Sequence, residues 1–400
     1  MKILYAWNLY QQQGGENMWY PSEPALLKEH GHEVCFYERD NSDLKAFGAL
    51  QKASMLWRTT WAQDTYREVR ALLRKEKPDI VHVYNTLALL SPSIFHACAA
   101  EGVAAVQTHY NYRSVCPAAT LLREAKICEE CIDHSLMRSV KYACYRDSKI
   151  QTGALAASIA FHRAIGTWTK CVQAFIVPTE FMKRKLASGL PIDRIEVRPN
   201  WHDPDPGMRS SPGENNLLFI GRLAEEKGAG VLLQTWASAP DLPPVRILGD
   251  GPMKAEVEAA AARDPRIQYL GRQPHERVLT ELRTAGCLLV PALWYEAFPH
   301  TLLEAAASGA PILASNVGTL PDVVEDGVTG MLFDPFDPAD VAAKVRQFFS
   351  NTTDRDAISQ AARGKFEREF TAARAYENLV RIYQIAISRR KAGESKPASR

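Results

Sequence analysis

Short, unbroken apolar runs alternate with longer stretches of helical periodicity along almost the whole chain, and no other feature narrows the fold so far. In the first half the runs are Ile3–Ala6, Glu33–Tyr37, Ile80–Val83, Ala104–Gln107 and Ala174–Val177. In the second half they are Leu217–Ile220, Val245–Leu248, Ile267–Leu270, Cys287–Val290, Pro311–Ala314 and Met331–Phe333. A strand that is apolar on both faces must be covered on both faces, which parallel sheets flanked by helices achieve. The pattern therefore predicts a doubly wound α/β fold, and it occurs twice. Four hundred residues allow two such Rossmann-like domains.

The boundary is marked by RPNWHDPDPGMRSSPGENN at 198–216, rich in Pro, Asp, Ser, Gly and Asn. This divides the chain into a domain over 1–195, a linker over 196–214, a second domain over 215–370, a helix over 371–389 expected to pack back on the first domain, and a disordered tail over 390–400. A cysteine-containing insertion spans about 110–150 within the first domain.

Composition excludes several roles. The formal net charge is only +2, so no dedicated nucleic-acid binder is expected. No apolar run approaches the roughly 18 residues of a membrane span. The segment MKILYAWNLY lacks a signal-peptide core, which predicts a cytoplasmic protein with reduced cysteines.

The chemistry-bearing residues cluster after strands of the second half. Arg222 and Lys227 lie in FIGRLAEEKG, where a strand turns into a helix. A guanidinium fork and an ammonium at a helix entry suit a diphosphate; a solvated basic edge beside Glu225 and Glu226 would look similar. Glu296 follows the strand Cys287–Val290, and Glu304 lies eight residues later on the next helix. Glu304 can accept both ribose hydroxyls, Glu296 can accept sugar hydroxyls, and the amides around Thr301 and Leu302 can face an anion. Gly249–Pro252 and Ser315–Gly330 are further Gly-bearing turns after strands.

In the first half Gly14 and Gly15 follow the first strand and Glu38 the second, but the G-x-G-x-x-G fingerprint is absent. His109 follows the strand Ala104–Gln107, at the sheet edge where open α/β folds collect ligands. Cys116, Cys128, Cys131 and Cys144 form C-x11-C-x2-C-x12-C, a candidate structural zinc site or a set of buried thiols. Lys183, Arg184 and Lys185 beside Phe181 and Met182 form a basic-apolar patch suited to peripheral contact with an anionic membrane face.

Taken in order, Gly221-Arg222…Lys227, Gly249-Asp250-Gly251-Pro252, Glu296-x7-Glu304, Gly309-Ala310-Pro311 and Val317-Gly318…Gly330 resemble the family 4 glycosyltransferases of the GT-B fold. The resemblance extends through Gly14-Gly15, His109 and Pro199-Asn200. It implies two Rossmann-like domains facing across a cleft, a UDP-, GDP- or ADP-sugar donor, retention of configuration and no catalytic metal. It implies transfer of a hexosyl-type sugar to a glycan or lipid-linked acceptor in polysaccharide or glycolipid biosynthesis. By the same resemblance Gly15, Arg222, Lys227, Thr301, Leu302 and Glu304 bind the nucleotide-sugar, while His109 and Glu296 serve the sugar near its reacting carbon. Ala297 and Pro299 depart from the pattern, standing where glycines are common. Competing readings are a nucleotide-sugar epimerase of the same fold, an NAD-dependent oxidoreductase, and a zinc or redox protein built on the four cysteines.

Overall fold

The computed structural model describes residues 1–9, 16–210, 213–350 and 352–394. The chain divides into two compact units. The first comprises Met1–Leu121, Cys128–Arg198 and the chain from Tyr376 onward; the second comprises Leu122–Ile127 and Pro199–Ala375.

The first unit is built on a six-stranded parallel sheet of β1 (Lys2–Leu9), β2 (Glu33–Asp40), β3 (Ile80–Val83), β4 (Ala104–Thr108), β5 (Ala174–Val177) and β6 (Ile195–Val197), in the order β2-β1-β3-β4-β5-β6. Every residue of β3, β4 and β5 is buried, as a strand covered on both faces requires. The covering helices carry one apolar stripe each: along Gln63–Glu76 the buried residues are Thr65, Val69 and Leu73, four apart. That helix stops at Lys77, which adopts the left-handed conformation (φ 49°) immediately before Pro78.

The helix Ala372–Glu394 is part of this first core, setting Leu379, Ile382, Tyr383 and Ala386 against Ile3, Tyr5 and Trp7. It runs five residues beyond the expected end at 389. Arg389 donates to the Gln173 and Asp193 carbonyls, and Arg390 to the Ala99 carbonyl, so the last turn is anchored and the backbone stays helical where a disordered tail was expected. Residues 395–400 of that expected tail lie outside the described residues. Glu38 sits inside β2, which continues through Asp40, so it does not occupy the loop beyond the strand.

The second unit repeats the plan with β7 (Leu217–Ile220), β8 (Val245–Leu248), β9 (Ile267–Gly271), β10 (Cys287–Val290), β11 (Ile312–Ser315) and β12 (Gly330–Phe333), all parallel, in the order β9-β8-β7-β10-β11-β12. Proline cannot donate to a ladder, and β11 starts at Ile312 rather than Pro311. The chain thus folds as two Rossmann-like parallel-sheet units.

Candidate functional site

In an open parallel sheet the strand order reverses at one point, and the loops leaving the strand ends there diverge and open a crevice. In the second unit that point lies between β7 and β10, with β8 and β9 on one side and β11 and β12 on the other. The loop leaving β7 carries Gly221, Arg222 and Lys227; the loop leaving β10 carries Trp294 and Glu296.

Lys227 Nζ lies 2.5 Å from Glu296 Oε1 and 5.3 Å from the centre of the Trp294 ring. The Trp294 indole donates to the same oxygen of Glu296 at 2.7 Å, and Thr319 Oγ1 donates to the Glu296 carbonyl at 2.9 Å. Glu296 is therefore held from both ends and buried. Arg222 pairs with Glu226 four residues on, its side chain largely exposed. Each cation thus rests on a carboxylate that a ligand phosphate can replace. For the largely exposed Arg222 such a pair is worth only about 0–1 kcal/mol, whereas the partner of Lys227 is buried.

Two glycines make the loops possible. Gly228 has φ 79°, and a Cβ there would enter the Pro291 carbonyl group of the loop after β10. Gly249 has φ 154°, and a Cβ there would strike the Gly221 carbonyl oxygen. The loops after β7 and β8 thus touch backbone to backbone.

The helix His300–Ser308 starts behind Glu296. Its N-cap is Pro299, which has no side chain able to cap, so the first-turn amides must find partners elsewhere. The Leu302 amide donates to the Pro299 carbonyl at 3.2 Å and the residue is fully buried. The Leu302 N–H, expected to face an anion, is thus already engaged in a tight first turn. Burial would raise the Glu304 carboxyl, but hydrogen bonds from His300 (Nδ1, 2.9 Å) and His275 (Nε2, 2.7 Å) outweigh it and hold the acid below its usual range.

A concavity beside these loops is lined by Gly221, Arg222, Gly249, Asp250, Arg272 and Gln273. Arg272 and Gln273 were missed in the sequence, although GRQP after β9 repeats the Gly-Arg signal of FIGR after β7. His275 and His202 were missed as well. His275 opens a helix without any motif, and His202 lies in the Pro/Asp-rich segment read as linker.

In the first unit, Gly14 and Gly15 lie outside the described residues. His109 directly follows β4, and its amide donates to the Ile176 carbonyl at 2.8 Å. Its ring packs on Phe175, and burial pushes the imidazole down to about 4, so it is neutral at pH 7. It lines a pocket with Tyr84, Asn85, Gln107, Ser158 and His162. Among the described residues His109 Nε2 and Gln107 Oε1 are buried without a hydrogen-bond partner. A buried polar atom left unpaired costs about 1–3 kcal/mol, so both are suited to a polar ligand.

The insertion carries the four cysteines expected either to hold a structural zinc or to be buried thiols. None of them is in a disulfide. Burial, reinforced by the neighbouring Cys116 and Cys144 sulfurs, pushes the Cys131 thiol up to about 11, and it is engaged with Ser139. Among the described residues no three of these sulfurs approach within 4.8 Å of one another; the one group that meets this distance is His202, His300 and Glu304. The basic patch differs from expectation. Met182 is fully buried and Lys185 is ion-paired with Glu129 at 2.6 Å, because the helix Glu180–Leu186 turns its apolar face inward. Among the described residues no helix is long and apolar enough to cross a membrane.

Two family models match in succession. One, described as Glycosyltransferase Family 4, matches residues 25–206; the other, Glycosyl transferases group 1, matches residues 207–365. A D-inositol 3-phosphate glycosyltransferase of Mycolicibacterium smegmatis is 31% identical over 281 residues, covering 63% of this chain and 63% of that protein. One from Corynebacterium kroppenstedtii is 31% identical over 184 residues, covering 43% and 40%. The chain spans less than half the length of several such curated relatives. A glycosyltransferase from Rickettsia africae superposes with a TM-score of 0.68 at 16% identity, over 96% of this chain and 98% of that one. The Anabaena protein HepE, crystallised with UDP, gives 0.64 at 14% identity over 96% and 100%, a likeness of fold. With adjoining family matches from residue 25 to 365 and the twofold parallel-sheet architecture, the chain belongs to the family 4 glycosyltransferases of the GT-B fold.

Proposed function

We propose that the protein transfers a hexosyl-type sugar from a nucleoside-diphosphate donor to an acceptor hydroxyl with retention of anomeric configuration. The observation that carries this reading is the contact of Lys227 with the buried Glu296, which joins the loops leaving the two strands that flank the strand-order reversal of the second unit. In this reading Arg222, Lys227 and the Thr301 amide hold the diphosphate, and Glu304 accepts the ribose hydroxyls. The concavity at Arg272 and Gln273 receives the base. Glu296 gives up Lys227 to the phosphate and accepts hydroxyls of the sugar instead.

The bond from the anomeric carbon to the phosphate oxygen breaks as that carbon bonds to the acceptor oxygen. The acceptor's proton passes to the departing phosphate on the same face, and a nucleoside diphosphate leaves. Negative charge grows on the phosphate, where preorganised cations are worth most. The neutral His109 and its pocket are assigned to the sugar and the acceptor. The acceptor class proposed is a glycan or lipid-linked hydroxyl of surface polysaccharide or glycolipid synthesis.

A thermal-shift panel of UDP-, GDP- and ADP-sugars tests the reading, because a ligand that prefers the folded state raises its stability. One nucleotide series should raise the melting temperature, and the shift should vanish in Lys227→Ala combined with Arg222→Ala. No stabilisation by any nucleoside diphosphate or its sugar would overturn it.

A further inference from the structure

Three separated stretches of the second unit bring imidazoles onto one carboxylate. His202 comes from the segment that opens the unit, and His275 from the start of the helix His275–Thr284. His300 and Glu304 lie four apart on the helix His300–Ser308, a spacing that sets two side chains on one face. Both His275 Nε2 and His300 Nδ1 reach the same oxygen, Glu304 Oε1, at 2.7 and 2.9 Å. The rings of His202 and His300 meet edge to face, 5.2 Å between centres. Among the described residues His202, His300 and Glu304 are the one group of three whose ligating atoms all lie within 4.8 Å of one another.

A second observation is independent of that spacing. His202 is 5% exposed, and its Nε2 is buried with no hydrogen-bond partner among the described residues. Its backbone is tied down, the amide donating to the Phe370 carbonyl at 3.0 Å. Buried imidazole nitrogens are ordinarily paired with protein or water, and this one sits beside two ligands of the type that share an ion. Neutral imidazoles with one carboxylate suit zinc and its neighbours rather than magnesium or calcium, which take oxygen ligands.

We propose that His202, His300 and Glu304, with His275 as a fourth donor, bind a divalent transition-metal ion of the zinc class, and that this ion competes with the nucleotide for Glu304. The competition rests on the assignment of Glu304 to the ribose; metal binding itself does not. The ion takes no part in sugar transfer. It is an inhibitory occupant that withdraws the acid from the donor.

Titrating zinc into the metal-free full-length chain by calorimetry should give one site, weakened at least tenfold in His202→Ala and several-fold in His275→Ala. The second variant alters a half-exposed side chain, so it reports even if the first is poorly folded. Cobalt should bind without a thiolate charge-transfer band, which separates this site from the cysteines of the insertion. Zinc should raise the apparent Kd for UDP in the natural protein and not in His202→Ala, whose metal-free UDP affinity stays within twofold. Zinc binding undiminished in both variants, or a cobalt spectrum dominated by thiolate, would overturn the site. Zinc binding that depends on His202 yet leaves UDP affinity unchanged upholds the site and overturns the ribose assignment of Glu304.

Discussion

The helix Glu16–Glu29 carries Glu23 into the first core, where it meets Arg198, at the end of that unit's middle stretch, at 2.5 Å. Both side chains are almost wholly excluded from solvent. Tyr5 donates to Glu23 at 2.7 Å and lies 3.0 Å from the Tyr383 hydroxyl, which His82 Nδ1 reaches at 2.7 Å. His82 Nε2 lies 2.7 Å from Thr108 Oγ1. Burial also holds His82 below its ordinary range, and a neutral ring protonated on Nδ1 satisfies the whole set. Burial would raise the Glu23 carboxyl, but Arg198 and then His82 outweigh it and bring it from 4.5 to about 2. At 1.36 kcal/mol per unit that displacement contributes about 3 kcal/mol. Because the folded value is the lower one, the contribution is complete above about pH 5 and is lost as pH falls from 4.5 toward 2. Glu23→Gln keeps the shape but leaves a guanidinium buried without a counter-charge, at a cost of about 3–5 kcal/mol at pH 7. Two units need not unfold together, so the assay is hydrogen exchange of β1 and β3 peptides across urea, at several pH values. The gap between natural protein and variant should narrow as pH falls through the acid range. Adding Arg198→Met should recover part of the loss, since the stranded charge is then gone. A Glu23→Gln variant within 1 kcal/mol of the natural protein at pH 7, or a gap independent of pH, refutes the reasoning.

Lys227→Ala and Arg222→Ala should each lower kcat/KM by about 2–4 kcal/mol of transition-state stabilisation with the donor found in the thermal-shift panel, by analogy with removing one preorganised oxyanion donor. Near-normal turnover in both would reject their role. Gly249→Ala forces a side chain into the Gly221 carbonyl at a positive φ and should cost about 2 kcal/mol or more in unfolding free energy, read by denaturant melts. His109 stays neutral down to about pH 4, so kcat/KM should show no limb near pH 6.5 from this residue, and His109→Ala should lower activity without moving the limbs that remain. A limb near pH 6.5 that disappears in the variant would show that His109 titrates as an exposed imidazole.

How much of this could be read from the chain depends on whether the signal is local. Ile80–Val83, Leu217–Ile220 and Cys287–Val290 are strands at the expected residues, because a strand buried on both faces must be apolar throughout. The run of β2 was cut short at Tyr37 because ERD is charged, yet pairing with β1 carries the strand through Asp40. Arg222, Lys227, Glu296 and Glu304 stood out as candidates because each belongs to a short ordered motif between a strand and the next element. Glu23, Arg198 and Tyr383 were not, since they meet across nearly the whole length of the chain and none belongs to a pattern.

Arg272 and Gln273 were recoverable from one more step of topology. β7, β8 and β9 are consecutive in the chain and adjacent in the sheet, as successive parallel strands usually are. Adjacent parallel strands end at the same edge, so the turns that leave them must gather there. Gly221-Arg222, Gly249-Asp250 and Gly271-Arg272 are those three turns, and all but Gly271 line the one concavity. Reading each glycine turn alone made it weak evidence of anything beyond a tight bend. Reading the three against the expected strand order would have placed Arg272 beside Arg222 before any coordinates were known. His202 escapes even that step, because nothing in strand order says where a chain leaving one unit first touches the next sheet's helices.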